Sequence, residues 1–149
     1  MARVKAEPIA SESSPLRRAH LRLGWLSLLV GVVAGVVVEG LLGFRWAGIV
    51  SDPLRRELLR LAHFHAGLLG LVNLVYAGFA EPPGVSARLR RTASRALRWG
   101  TVALPSGFLL GGLWHPEGDP GLGIVLVPLG AAGIALAVAL QVQPCGHRP

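Results

Sequence analysis

The chain has 149 residues, of which 52% are hydrophobic and 15% charged, and its mean hydropathy is +0.52. A water-soluble domain carries about 25% charged residues, so this composition points to a membrane protein, and the length leaves room for one domain. The lone Cys145 excludes a disulfide framework and a cysteine-based metal site. The formal net charge is +7, but the arginines and lysines flank apolar runs and do not form one face, which is the distribution of membrane orientation and not of nucleic-acid binding.

Residues 1–20 hold Glu7, Ser11, Glu12, Ser13 and Ser14 without apolar periodicity, which predicts a disordered tail. A first apolar run follows over 22–44, and Leu23–Val38 contains no charge. It continues well beyond the small-residue stretch Val33-Ala34-Gly35, which favours a retained span over a cleaved signal peptide. Asp52 and Pro53 form a helix start, a side-chain cap followed by a residue that needs no amide donor. The helix that begins there runs over 53–80, apolar from Leu61, and Pro82-Pro83-Gly84 ends it. The basic stretch Val85–Arg98 leads into a third span over about 92–115, apolar from Trp99. The fourth covers 121–142, and a short tail over 144–149 closes the chain. A hydrocarbon core of roughly 30 Å takes about 20 helical residues at 1.5 Å each. The sequence therefore predicts an all-α, four-helix transmembrane bundle over 21–143, up-down, with antiparallel neighbours. Pro105 and Pro128 predict kinks in the third and fourth spans.

Basic residues mark the cytoplasmic side of short loops. Arg3, Lys5, Arg17, Arg18 and Arg22 precede the first span, and Arg88, Arg90, Arg91, Arg95 and Arg98 lie between the second and third. The opposite side has Arg45, Arg55, Arg56 and Arg60, diluted by Asp52 and Glu57, and the segment His115–Pro120 has no basic residue. Both termini are expected in the cytoplasm. Tryptophan gives an independent check: Trp25 and Trp99 fall at the inner ends of spans, Trp46 and Trp114 at the outer ends, as two headgroup belts require.

Helices in lipid associate through small residues. Ser27, Gly31, Gly35, Glu39 and Gly43 recur every four residues on span one, His63, Gly67, Gly70 and Ala77 share a face of span two, and Gly100, Gly107, Gly111 and His115 do so on span three. Glu39, His63 and His115 thus end three packed faces at similar depth on the outer side. A carboxylate inside a span must be paired, protonated or functional, and two accounts remain open. In one, Glu39 pairs with Arg56 or Arg60 and fixes helix register. In the other, His63, His65 and His115 hold a haem b, or Glu39, His63 and His115 hold a transition metal. His63 and His65 lie about 200° apart on their helix, so only one of them faces the bundle centre. Asn73 and Tyr76 are expected to bond across helices, and Ser106 beside Pro105 to satisfy backbone. No phosphate loop, nucleophile elbow or zinc-protease motif is present.

The stretch Arg60-Leu61-Ala62-His63-Phe64-His65-Ala66-Gly67-Leu68-Leu69-Gly70-Leu71-Val72-Asn73 resembles the second span of uncharacterised small bacterial four-span membrane proteins. That span opens with Ala-His-x-His and continues Leu-Leu/Gly. Glu39-Gly40-Leu41-Leu42-Gly43-Phe44 is similar to the end of their first span. A comparable His-x-His opening occurs in helices of respiratory haem–copper and nitric-oxide-related membrane proteins. The resemblance covers residues 23–80 and implies the fold and a membrane location, with haem or metal suggested through His63 and His65. Those proteins often carry a histidine near position 42, where this chain has Leu42, which removes one ligand.

Three functions follow as expectations. The first is a non-enzymatic membrane component or accessory subunit, in a homo-oligomer or larger complex of a bacterial inner membrane. The second is a haem- or metal-binding redox or sensor protein. The third is an oligomeric transporter or channel protomer with Glu39 on the path and Pro105 and Pro128 as hinges.

Overall fold

Three of the four long helices begin where a side chain supplies a missing acceptor. In the computed structural model, which describes residues 14–81, 84–116 and 118–142, the Ser14 hydroxyl accepts from the Arg17 amide at 3.2 Å, with Pro15 next in sequence. Asp52 does the same for Arg55 at 2.9 Å before Pro53, and Ser86 for Leu89 at 3.3 Å. The resulting elements are α1 (Pro15–Gly43), the short α2 (Ala47–Val50), α3 (Pro53–Gly78), α4 (Ala87–Leu113), a 3-10 turn over Leu122–Val125 and α5 (Leu126–Val142). The described residues contain no strand. Residues 1–13, Pro82 and Pro83 of the expected end of the second span, Glu117, and the C-terminal tail with Cys145 and Arg148 fall outside the described residues.

The first helix begins earlier than the composition suggested. Residues 15–20, expected in the tail, form the opening turns of α1, because Ser14 and Pro15 make a start signal as good as that of α3. α1 ends in a Schellman arrangement: the Trp46 amide donates to the Leu41 carbonyl and the Arg45 amide to that of Leu42, both at 3.0 Å. Arg45 occupies the left-handed position with φ 54°, where glycine is the usual choice.

α1, α3 and the final helix counted from Leu122 are long and apolar enough to cross a membrane. α4 is mixed, with arginines from Arg88 to Arg98 and an uncharged stretch only from Trp99 to Leu113. The long helices form an antiparallel series. α1 packs along α3, α3 along α4 and α4 along α5, while α1 and α4 approach each other little. α5 meets α3 near its end, where Tyr76, Leu97 and Ala137 join one apolar cluster. Backbones touch along two seams. A Cβ on Gly31 of α1 would lie 2.5 Å from the Gly67 amide nitrogen of α3, and one on Gly100 of α4 would lie 2.6 Å from the Gly130 carbonyl oxygen of α5. Only glycine permits those approaches, and close contact is what drives helix association in lipid.

The outward surface is as apolar as the interior. Val36 is 70% exposed, and Trp25, Leu29, Val75 and Leu136 also face outward. Water would make so much exposed apolar area unfavourable, whereas hydrocarbon does not.

Candidate functional site

The end of the helices where α1 begins and α4 begins carries most of the arginines. There, inside the protein, lies a polar network spanning three helices. His20 of α1 is fully buried, as is Asn73 of α3, and Ser94 and Thr101 of α4 are nearly so. His20 Nδ1 stands 2.7 Å from Asn73 Oδ1 and Nε2 stands 2.9 Å from Ser94 Oγ. Asn73 Nδ2 donates to the Leu69 carbonyl at 2.8 Å and to Thr101 Oγ1 at 2.7 Å, and Thr101 donates onward to the Leu97 carbonyl at 2.8 Å. The chain of donors fixes the ring's tautomer. Thr101 spends its proton on Leu97, so it must accept from the Asn73 amide, which leaves Oδ1 as the group facing His20. In the neutral ring the proton therefore sits on Nδ1, and Nε2 accepts from the Ser94 hydroxyl. The Tyr76 ring covers the imidazole at 4.4 Å between centroids, and its hydroxyl bonds Gln141 of α5.

The sequence signalled Asn73 and Tyr76 but not His20, Ser94 or Thr101. A signal for His20 existed. The small-residue stripe of α1, traced back from Ser27 through Gly24, reaches position 20 in steps of three and four.

The opposite end is held by Asp52, Arg55 and His115. Arg55 donates through Nε to the Gly112 carbonyl at 3.2 Å and through Nη1 to that of Gly48 at 3.0 Å, so one guanidinium ties α2 and α4 to α3. His115 Nε2 stands 3.0 Å from Asp52 Oδ2, and its Nδ1 is 2.8 Å from the Pro116 carbonyl. The Nε2 geometry toward the carboxylate is a close contact and not that of a hydrogen bond. The Arg55 amide bonded to Asp52 holds its carboxyl below the usual carboxylate range, with the nearby His115 and Arg55 charges acting in the same direction against partial desolvation.

The residues singled out for chemistry are not assembled into one site. Glu39 pairs with Arg60, Nε to Oε1 at 3.2 Å, and not with Arg56. Both partners are about half exposed, at 56% and 48%, so the pair lies at the surface of the chain. His63 donates toward the Leu59 carbonyl at 3.3 Å and lies under Gly35 of α1. His65 bonds the Leu61 carbonyl at 2.8 Å and stacks at 5.0 Å on Phe108 of α4. His115 is engaged with Asp52. Among the described residues no three His, Cys, Asp or Glu side chains converge as metal ligands, so Glu39, His63 and His115 do not form the expected metal set. Of the glycines of α4, Gly107 faces Val127 of α5 and Gly111 faces Ile124 in the 3-10 turn, whereas Gly112 faces Leu58 and Leu59 of α3.

No protein-family model, curated protein or solved structure matches this chain.

Two lateral openings complete the picture. A groove between α1 and α3, of about 530 Å³, runs past Gly35, His63 and Phe64 to Glu39. On the other side, where α1 and α4 diverge while both lean on α3, a cavity of about 330 Å³ is bounded by Leu23, Val30, Ala66, Val102 and Pro105. A second cavity of about 540 Å³ continues it, with Ala34, Val38, Leu59 and Leu109 lining both, and Trp46 and Arg55 line this second cavity.

Proposed function

We propose that the chain is a four-span integral membrane protein, up-down and antiparallel, that serves as a non-enzymatic component of a larger assembly or homo-oligomer in a bacterial inner membrane. In this reading α4 is the remaining span. Arg88, Arg91, Arg95 and Arg98 share its outer face, where they meet anionic headgroups, and the arginine-rich end with both termini is cytoplasmic.

One observation carries the non-catalytic role. The buried polar side chains His20, Asn73, Ser94 and Thr101 bond one another and the backbone, so this network is a clamp across three helices whose donors and acceptors are used within the fold. Assembly is supported by α5, which packs mainly on α4, meets α3 only near its end, and leaves Ala131, Ala135 and Ala139, four apart, on its exposed side. Light scattering in mild detergent tests this. The native protein should have a mass above one chain, and Ala135→Trp should reduce it to one. A native mass of a single chain would remove the assembly from the proposal.

A further inference from the structure

We infer that the cleft between α1 and α4 is a binding site for one acyl chain of an anionic phospholipid, with the phosphate held at Arg55. Three observations combine. The first is shape. On α1 the lining runs from Leu23 to Leu41, about 27 Å at 1.5 Å per residue, close to the full depth of a hydrocarbon core. Ala34, Val38, Leu59 and Leu109, which line both cavities, join them into one continuous shaft, the form of a flexible hydrocarbon chain.

The second is wall chemistry. Valine and leucine line much of the shaft, and of its polar residues Ser27, His63, Thr101 and Ser106 the first three already donate to the Ala66, Leu59 and Leu97 carbonyls, at 2.8, 3.3 and 2.8 Å. Those three ask nothing of a ligand, so a hydrocarbon chain leaves them satisfied.

The third is the polar end. Arg55 uses two N–H groups on the Gly112 and Gly48 carbonyls, and the guanidinium carries five. Its neighbouring carboxylate, Asp52, lies 3.7 Å away and is shared with His115 at 3.0 Å. Trp46, on the same cavity, is the residue type that settles at the headgroup level. An apolar shaft closed by a cation and an indole is complementary to a lipid tail with a negative head.

The inference rests on the protein residing in a bilayer, and the test separates the two. Sedimentation with membranes that resists alkaline carbonate establishes residence first. Native mass spectrometry from detergent then measures retained lipid, with phosphatidylglycerol and phosphatidylcholine as probes. One phosphatidylglycerol per chain should be retained, with phosphatidylcholine retained at least tenfold less. Ala34→Phe, which fills the stretch common to both cavities, should abolish retention, whereas Val36→Phe on the outward face should not. Equal retention by these two variants, or equal retention of the two headgroups, would overturn the inference. Should Ala34→Phe fail to fold, the chain retaining Trp46 as its sole tryptophan supplies the readout. Its fluorescence should be quenched saturably by brominated phosphatidylglycerol at low mole fraction, and quenching strictly proportional to lipid content would be equally fatal.

Discussion

Asn73→Ala is the substitution that the polar clamp makes most costly. The amide accepts from His20 and donates to Thr101 and to the Leu69 carbonyl. Leu69 loses little, since a helix carbonyl keeps its backbone donor, and Thr101 keeps its bond to Leu97. The His20 Nδ1–H, in a ring with no exposed surface, is left without an acceptor. An orphaned buried donor costs about 1–3 kcal/mol. The lost Asn73–Thr101 bond adds roughly 0.6–1 kcal/mol on the scale of interhelical bonds in membranes, and the vacated volume adds a little more. The sum is about 2–4 kcal/mol. Reversible unfolding in mixed detergent micelles, followed by circular dichroism, measures it. The proper reference is Leu71→Ala, which removes a side chain 49% exposed on the same helix and should cost under about 1 kcal/mol. Thr101→Val leaves Asn73 its Leu69 bond and should cost roughly 1 kcal/mol. If Asn73→Ala were no worse than Leu71→Ala, the hydrogen-bond assignment and the tautomer deduced from it would both be wrong.

Three further outcomes are expected. Gly31→Ala would place a Cβ 2.5 Å from the Gly67 nitrogen and 3.0 Å from the His63 carbonyl; both obstacles are backbone, so α1 and α3 must separate, at about 1–3 kcal/mol in the same unfolding assay. Arg45→Gly should stabilise by about 0.5–1 kcal/mol, because the left-handed position costs an L residue roughly 1–2 kcal/mol and glycine's extra freedom returns part of that; a loss would contradict the Schellman ending of α1. The Asp52 carboxyl is depressed by its helix-capping bond, so its contribution is complete above the unfolded carboxylate range and lost as pH falls through the lower folded value. Amide exchange in the first turn of α3 should therefore accelerate in acid for the native protein and show a weaker acid step in Asp52→Asn.

What the sequence disclosed follows from periodicity. Gly31 and Gly67 were legible as contact faces, since a four-residue step keeps one side of a helix, and the structure sets them against each other. The Asp52-Pro53 start was legible because capping is local. The glycines of α4 misled. Spacing reveals that Gly100, Gly107 and Gly111 share a face but not which neighbour takes it, and α5 with the 3-10 turn before it takes it. With that face committed, His115 lands beside Asp52, at the cap of α3, and not in a common centre with His63. His20 escaped notice because its surroundings looked like a solvated tail. A serine cap and a proline six and five residues earlier were the missing cue. The pairing of His20 with Ser94 across most of a hundred residues has no local signature.

The decisive measurement is side-specific cysteine labelling in intact cells. On a Cys145→Ser background, cysteines placed singly at Gly84 and at Asp119 are challenged with a membrane-impermeant maleimide. Four crossings with the arginine-rich end inside predict that position 119 reacts in intact cells, while position 84 reacts only after permeabilisation. Labelling of both positions from the same side would show that α4 does not cross, and the account of the protein as a four-span membrane component would fail.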